Sequence, residues 1–318
     1  MAGIGHSRSC CKLAGPGEEI TMRSLQDEDM KIIPIRTEQQ MAFEELKAKH
    51  SVVWGAGPYQ RVTDGLADAH AHLISFTPPR YGERWLDVAT GTGAVALRAA
   101  ADGAAVTAQD IAPELVSIAD ERAIESGLTV DFRTGDCEAM PFEDGSFDTV
   151  SSAFGHMFSP DHAASAHEIA RVCRPGGRVA LLTWHPTQGV AELFAILKRY
   201  QQPPAGAGSP FAWGDPDGVA ELFGETFDLG FAKGESWHRA ESAEALWRIF
   251  REDYGPTKVL ADSLDPEQRA QLERECIEYF DTFRLADGTV AWRRSYLLTT
   301  GLRTEAPVES RTLQTITA

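Results

Sequence analysis

The chain is predicted to be a doubly wound α/β protein on a mostly parallel seven-stranded sheet, with helices before the sheet and a helical insert near the C-terminus. Three features predict it. From Arg84 onward, short apolar runs alternate with helix-length segments, the pattern of parallel strands joined by crossover helices. The first run, residues 85–88, passes through a turn holding Gly91 and Gly93 into a helical segment. After Trp184 the alternation breaks, and two further strand-like runs, 227–233 and 291–299, bracket a long helical stretch.

Taken in order, residues 1–35 mix Gly, Ser and charges without a sustained period and read as a flexible leader. Residues 36–80 form an N-terminal helical cover. One helix at 37–50 carries Met41, Ala42, Leu46 and Ala48 among charges, and another runs through Val62, Leu66, Ala69 and Leu73. The main domain spans 81–302, with strands at 84–88, 105–109, 129–133, 147–151 and 178–183, and helices starting near Gly93, Pro113 and Asp161. Proline suits the second start because its missing N–H has no partner in a first helical turn. Pro175-Gly176-Gly177 reads as a turn that ends the third helix and opens the fifth strand. Insertions at about 186–225 and 240–288 read as lid and cap: the first holds a helix at 190–200 and a Pro/Gly-rich loop at 201–210, the second is helical from Ser242 to about Arg284. Residues 303–318 read as a frayed tail.

Thirty Lys and Arg face 47 Asp and Glu, a net charge of −17 that repels polyanions, so nucleic acid is not the expected substrate. No apolar run is long enough to span a bilayer, and the N-terminus lacks the apolar core of an export signal, so stable membrane insertion is not expected and a cytoplasmic protein is. Cys10, Cys11, Cys137, Cys173 and Cys276 lack CxxC spacing, which suggests neither a zinc site nor a disulfide framework, and no metal is predicted. A homodimer is compatible with this composition.

The strand–turn–helix at 85–97 is suited to holding a ligand, because glycine admits positive φ and lets a ligand approach the backbone. Gly91-x-Gly93-x-x-Ala96, followed by Asp110 at the end of the next strand, also fits a dinucleotide fingerprint. The features that follow in order decide between them: Gly135-Asp136-Cys137-Glu138 after the third strand, Pro141-Phe142-x-x-Gly145-Ser146-Phe147-Asp148 into the fourth, and Arg171-Val172-Cys173-Arg174-Pro175-Gly176-Gly177 before the fifth. This succession resembles the class I S-adenosylmethionine (AdoMet) methyltransferases, a Rossmann-like fold, and especially their ubiquinone/menaquinone C-methyltransferase branch. The resemblance covers about residues 54–184.

It implies AdoMet as cofactor and a small-molecule acceptor, methylated by in-line displacement. Asp87, Ala89, Gly91, Thr92 and Gly93 would line its methionine part, Asp110 would accept from both ribose hydroxyls, and Ile111 would pack on the adenine. Asp136 would accept from the adenine amine beside Cys137, with Ser152 at the end of the fourth strand. Tyr59 and Trp54 would close over the cationic sulfonium, which aromatic faces attract. His156, after the fourth strand, is the candidate general base, the alternative being a ring that only shapes the pocket; His185 is a second candidate. Phe211 and Trp213 are candidates to line the acceptor pocket, whereas Trp237, Trp247 and Trp292 read as packing residues of the insert. Two alternatives stand beside this reading: a nicotinamide-dependent oxidoreductase, and a non-catalytic AdoMet-binding protein.

Overall fold

A computed structural model of the chain describes residues 37–201 and 206–305. The expected leader with Cys10 and Cys11, the middle of the Pro/Gly loop and most of the expected tail lie outside the described residues. Three helices come first, α1 (Glu38–Val53), α2 (Gln60–Asp64) and α3 (Ala67–Phe76). Thr37 starts α1 with a capping box: its hydroxyl accepts the Gln40 N–H while the Gln40 side chain accepts the Thr37 N–H.

The alternating core follows as β1 (Arg84–Val88), α4 (Ala94–Ala101), β2 (Ala105–Asp110), α5 (Pro113–Glu125), β3 (Asp131–Thr134), β4 (Phe147–Ala153), α6 (His162–Val172) and β5 (Cys173–Trp184). Pro113 occupies the first turn of α5, and the Asp161 carboxylate caps α6 by accepting the Ala164 N–H. Beyond them lie α7 (Val190–Leu197), α8 (Pro216–Phe223), β6 (Phe227–Ala240), α9 (Ala243–Asp253), α10 (Gly255–Ser263), α11 (Pro266–Asp281) and β7 (Val290–Arg303).

The seven strands form one sheet in the order β3-β2-β1-β4-β5-β7-β6. β1 to β5 are parallel, while β7 runs antiparallel to both β5 and β6. The central strands are covered on both faces, so Leu86, Val150, Ala180 and Leu181 are fully buried and the strands read as near-continuous apolar runs. The order of connection reverses between β1 and β4, which opens a crevice outside their C-terminal ends.

The structure corrects four expectations. The third strand sits at Asp131–Thr134, past residues 129–130, because it pairs in register with Thr107 to Asp110. Arg174-Pro175-Gly176-Gly177 does not precede the fifth strand but lies inside β5, where the pairing with β4 shifts register. β6 and β7 run well beyond 227–233 and 291–299, pairing continuously from Phe227 with Arg303 to Ala240 with Val290. The charged outward residues of that outer half, such as Glu235 and Arg239, hid the strand. Trp237 points out with them at 44% exposure, not into the insert, whereas Trp247 and Trp292 are buried.

The N-terminal helices are fastened to the insert. Arg61 pairs bidentately with Asp253, donating from Nη2 to Oδ1 at 2.7 Å and from Nε to Oδ2, and Tyr59 N–H donates to the Asp253 carbonyl at 3.2 Å. A Cβ at Gly57 would strike that same carbonyl, and one at Gly255 would strike the carbonyl of Val53. Two chain segments about 190 residues apart in sequence thus meet backbone to backbone.

Candidate active site

A cavity opens at the C-terminal ends of β1, β2 and β4, the place where ligands bind in open α/β sheets. Its floor is the turn between β1 and α4. Asp87, Ala89, Thr90, Gly91 and Thr92 line it. Asp87 is held rigid: Oδ1 accepts the Ser151 hydroxyl and Oδ2 the Thr90 hydroxyl, each at 2.6 Å, while Ser151 in turn accepts the Trp85 indole N–H at 2.7 Å. Burial pushes the Asp87 pKa up to about 6 although both hydroxyls favour the carboxylate. Ala89 takes a positive φ of 52°, unusual for a residue with a Cβ, and Gly91 at φ 56° leaves open space above the backbone.

Asp110 ends β2 with its carboxylate aimed by two backbone donors, Gly91 N–H to Oδ2 at 2.8 Å and Ala112 N–H to Oδ1 at 2.9 Å. Each oxygen keeps a further lone pair, so the group can accept from a pair of vicinal hydroxyls. Burial raises its pKa, against the opposing pull of those N–H donors. Tyr59 lines the cavity over it, and burial together with the Asp110 charge raises the phenol pKa so that Tyr59 keeps its proton.

Beyond Asp110 the cavity is lined by Ile111, Leu115, Gly135, Asp136 and Cys137. Asp136 Oδ1 accepts the Glu138 N–H at 2.9 Å, and Oδ2 pairs with Lys47 at 2.8 Å. Burial works against the Lys47 charge, but hydrogen bonds to Asp136, Glu44 and Glu138 outweigh it and hold the ammonium. Burial pushes the Cys137 thiol up to about 12, which makes it a neutral wall and not a nucleophile.

The roof is aromatic. Trp54 lies 4.9 Å from Phe158, 6.1 Å from Tyr59 and 5.6 Å from Tyr254 between ring centres, and Tyr59 lies 5.7 Å from Tyr254. The four rings come from the N-terminal cover, the loop after β4 and the insert. Trp54, Tyr59 and Phe158 face the cavity; Tyr254 backs them.

The structure leaves several expected residues out of this cavity. His156 is fully buried, does not line it, and packs edge-on against Trp213 at 4.7 Å with both ring nitrogens unpartnered. Burial lowers its pKa to about 3, which works against a general-base role. Ser152 is buried on the other face of β4, where its hydroxyl accepts the His156 N–H at 3.3 Å; the neighbouring Ala153 faces the cavity instead. Gly93 turns the chain at φ 80° with its α-carbon against Ala119, behind the floor. Trp213 is fully buried and accepts the Thr183 hydroxyl on its carbonyl, and neither Phe211 nor His185 lines the cavity.

Sequence reading missed Lys47, His50, Thr63, Leu66 and His70, all of which line the cavity. For Lys47, His50 and Trp54 the signal is helical spacing on α1, whereas Thr63 belongs to α2 and Leu66 and His70 to the start of α3, so no single helical period marks them. Among the described residues, no group of three or more His, Cys, Asp and Glu is placed to hold a metal ion, and no helix is long and apolar enough to cross a membrane.

Residues 86–181 match the family model described as a methyltransferase domain. An uncharacterised protein of Mycobacterium tuberculosis is 37% identical over 259 residues, which cover 79% of this chain and 93% of that protein. A demethylmenaquinone methyltransferase of Thermus thermophilus is 43% identical over 106 residues, 33% of this chain and 48% of the relative. The solved structure of the Bacillus subtilis YcgJ protein superposes with a TM-score of 0.54 at 21% identity, covering 75% of this chain and 99% of its own, and so shares the fold. With the sheet order, the position of the cavity and this match running from β1 into β5, the chain carries a methyltransferase domain on the class I AdoMet-dependent methyltransferase fold.

Proposed function

We propose that the chain methylates a small organic acceptor inside the roofed cavity, with its cofactor spread between the Asp136 and Asp87 ends. The roof carries this reading: Trp54, Tyr59 and Phe158 leave no flat surface for a macromolecule, and the net charge of −17 disfavours polyanions. When bound, AdoMet supplies a methyl group on a cationic sulfur, ready for displacement. Asp110 takes the two ribose hydroxyls on its remaining lone pairs, Ile111 packs on the adenine, and Asp136 with Cys137 faces the adenine edge, Asp136 sharing its carboxylate with Lys47. Asp87, Ala89, Gly91 and Thr92 would border the amino-acid part, and the Tyr59 and Trp54 rings, which line the cavity, would attract the cationic sulfonium.

No cavity-lining side chain needs to form a covalent bond. Holding the acceptor in line with the methyl carbon removes most of the entropic barrier, and the rigid floor and closed roof serve that end. The segments 186–225 and 240–288 act as lid and cap, since the latter supplies Tyr254 and Asp253 to the roof. The core's likeness to demethylmenaquinone methyltransferases makes a reduced-quinone ring the first acceptor class to screen.

Calorimetric titration with S-adenosylhomocysteine (AdoHcy), NADH and NADPH, followed by methyl-group transfer from labelled AdoMet to a panel of ring-hydroxylated compounds, tests the proposal. Binding of AdoHcy alone and label in a small-molecule product support it. Label found only in protein or nucleic acid would sink it.

A further inference from the structure

One end of the cavity, remote from Asp136, is lined by Thr63, Leu66, His70 and Thr92. Thr63 lies in the last turn of α2, Leu66 at the junction and His70 in the first turns of α3, with Leu66 N–H donating to the Thr63 carbonyl at 2.9 Å and His70 N–H to the Leu66 carbonyl at 3.0 Å. The tight junction between the two helices turns all three side chains to the cavity. His70 is 4% exposed, and its Nδ1 is buried without a hydrogen-bond partner.

The hydroxyls beside it have a fixed direction. Arg122, which can only donate, gives Nη1–H to the Thr92 hydroxyl oxygen at 3.1 Å and also to the Thr92 carbonyl. Thr92 then has its own proton to give, and Thr63 Oγ1 lies 3.2 Å away to accept it. The relay leaves the Thr63 hydroxyl as a donor, for which the described residues supply no acceptor. The charged groups nearest the imidazole are Arg98 on α4, Arg294 on β7 and Arg122 on α5, opposed by Asp68 on α3, and burial with this positive surplus keeps the ring neutral. A neutral imidazole and a threonine hydroxyl, set among guanidinium groups in a buried corner, are donors waiting for a negative oxygen.

We propose that Thr63 and His70 form an oxyanion subsite, built to hold a carboxylate or phenolate oxygen through a hydrogen bond from each. The inference rests on the small-molecule reading of this cavity. The oxyanion can come from the cofactor's own carboxylate or from an acidic acceptor bound as its anion. Either way the two side chains are positioning residues, holding one end of a reactant so that the methyl and its acceptor meet.

The test compares the wild-type chain with Thr63→Val, Thr63→Ser, His70→Ala and His70→Gln. Calorimetry is run with AdoHcy, with 5′-methylthioadenosine, which lacks the carboxylate, and with 4-nitrophenolate added to the AdoHcy complex. If the cofactor carboxylate occupies the subsite, Thr63→Val and His70→Ala each weaken AdoHcy about tenfold and leave methylthioadenosine unchanged, as expected for one lost bond to a charged group. If the acceptor occupies it, AdoHcy is unchanged and 4-nitrophenolate binding is lost. In both cases Thr63→Ser and His70→Gln, which keep a donor, recover most of the affinity. Equal affinity of all five proteins for all three ligands would overturn the subsite while leaving the methyltransferase site intact. Failure of the wild-type chain itself to bind AdoHcy would instead overturn the reading of the cavity, and the subsite with it.

Discussion

The floor and the roof of the cavity are made in opposite ways. The floor, from Asp87 to Asp110, is mostly local: two strand ends and one turn within 24 residues, with Gly91 N–H bonded to Asp110 and the Asp87 carboxylate held by Thr90, and one outside hydroxyl, Ser151 of the adjoining β4, completing the clamp. The roof joins residues 54, 59, 158 and 254, held by aromatic contacts and by the Arg61–Asp253 pair. A floor of short hydrogen bonds is rigid before any ligand arrives. A roof assembled from distant segments depends on their docking, and is the part that can open.

Substitutions can break this contrast. The largest effect is expected on the floor: Asp110→Ala removes the acceptor for two hydroxyls, about 3 kcal/mol or roughly 10²-fold in AdoHcy affinity, and lowers the melting temperature as well, because the Gly91 and Ala112 N–H groups lose their acceptor. Calorimetry and a melting curve check both halves of that statement. Next, His156→Ala empties a fully buried site against Trp213 and should cost about 2 kcal/mol of stability, while kcat keeps its pH dependence. A kcat that collapses in a well-folded variant would restore His156 as the base.

Arg61→Ala acts on the roof alone. Arg61 is 54% exposed but Asp253 is only 2% exposed, so the loss is the uncovered buried carboxylate, about 1 kcal/mol after screening. The expected readout is faster release of AdoHcy in stopped flow with a small fall in melting temperature. The smallest effect is the pH response of the floor. Burial holds the Asp87 pKa at about 6 in the folded chain, above the ordinary carboxylate value of the unfolded chain. Between these values the folded state holds more protons than the unfolded, so this group's contribution to stability falls as pH rises through the window. Affinity for cationic AdoMet should move the other way, weakening as pH drops below about 6, and Asp87→Asn should flatten that response. Titrations at several pH values decide it.

The same contrast explains what the sequence reveals. The order of strands, Asp110 at the end of β2 and the glycine turn are legible because each is encoded within a few neighbouring residues. Ser152 and Ala153 differ by one step of a strand, which reverses the face a side chain meets, and composition alone does not say which is turned to the cavity. His156 looks like a base because it follows β4, but the segment after β5 brings Trp213 against it from 57 residues away in sequence. Thr63 and His70 carry no motif at all; they become a site only when α2 and α3 lie against α4 and the Thr92–Arg122 relay behind it.

The place of β7 in the sheet has a consequence for the order in which the molecule can be assembled. β6 is synthesised some fifty residues before β7, yet it touches the sheet only through β7, which inserts between it and β5. A growing chain can pair β1 to β5 as soon as they emerge, while β6 and α9 to α11, with the Tyr254 side chain, have no strand to join until residues 290–303 arrive. Among the described strands the last to be synthesised is therefore the one that ties β6 to the sheet, and chains truncated before it would keep the floor while β6 had no neighbour to pair with.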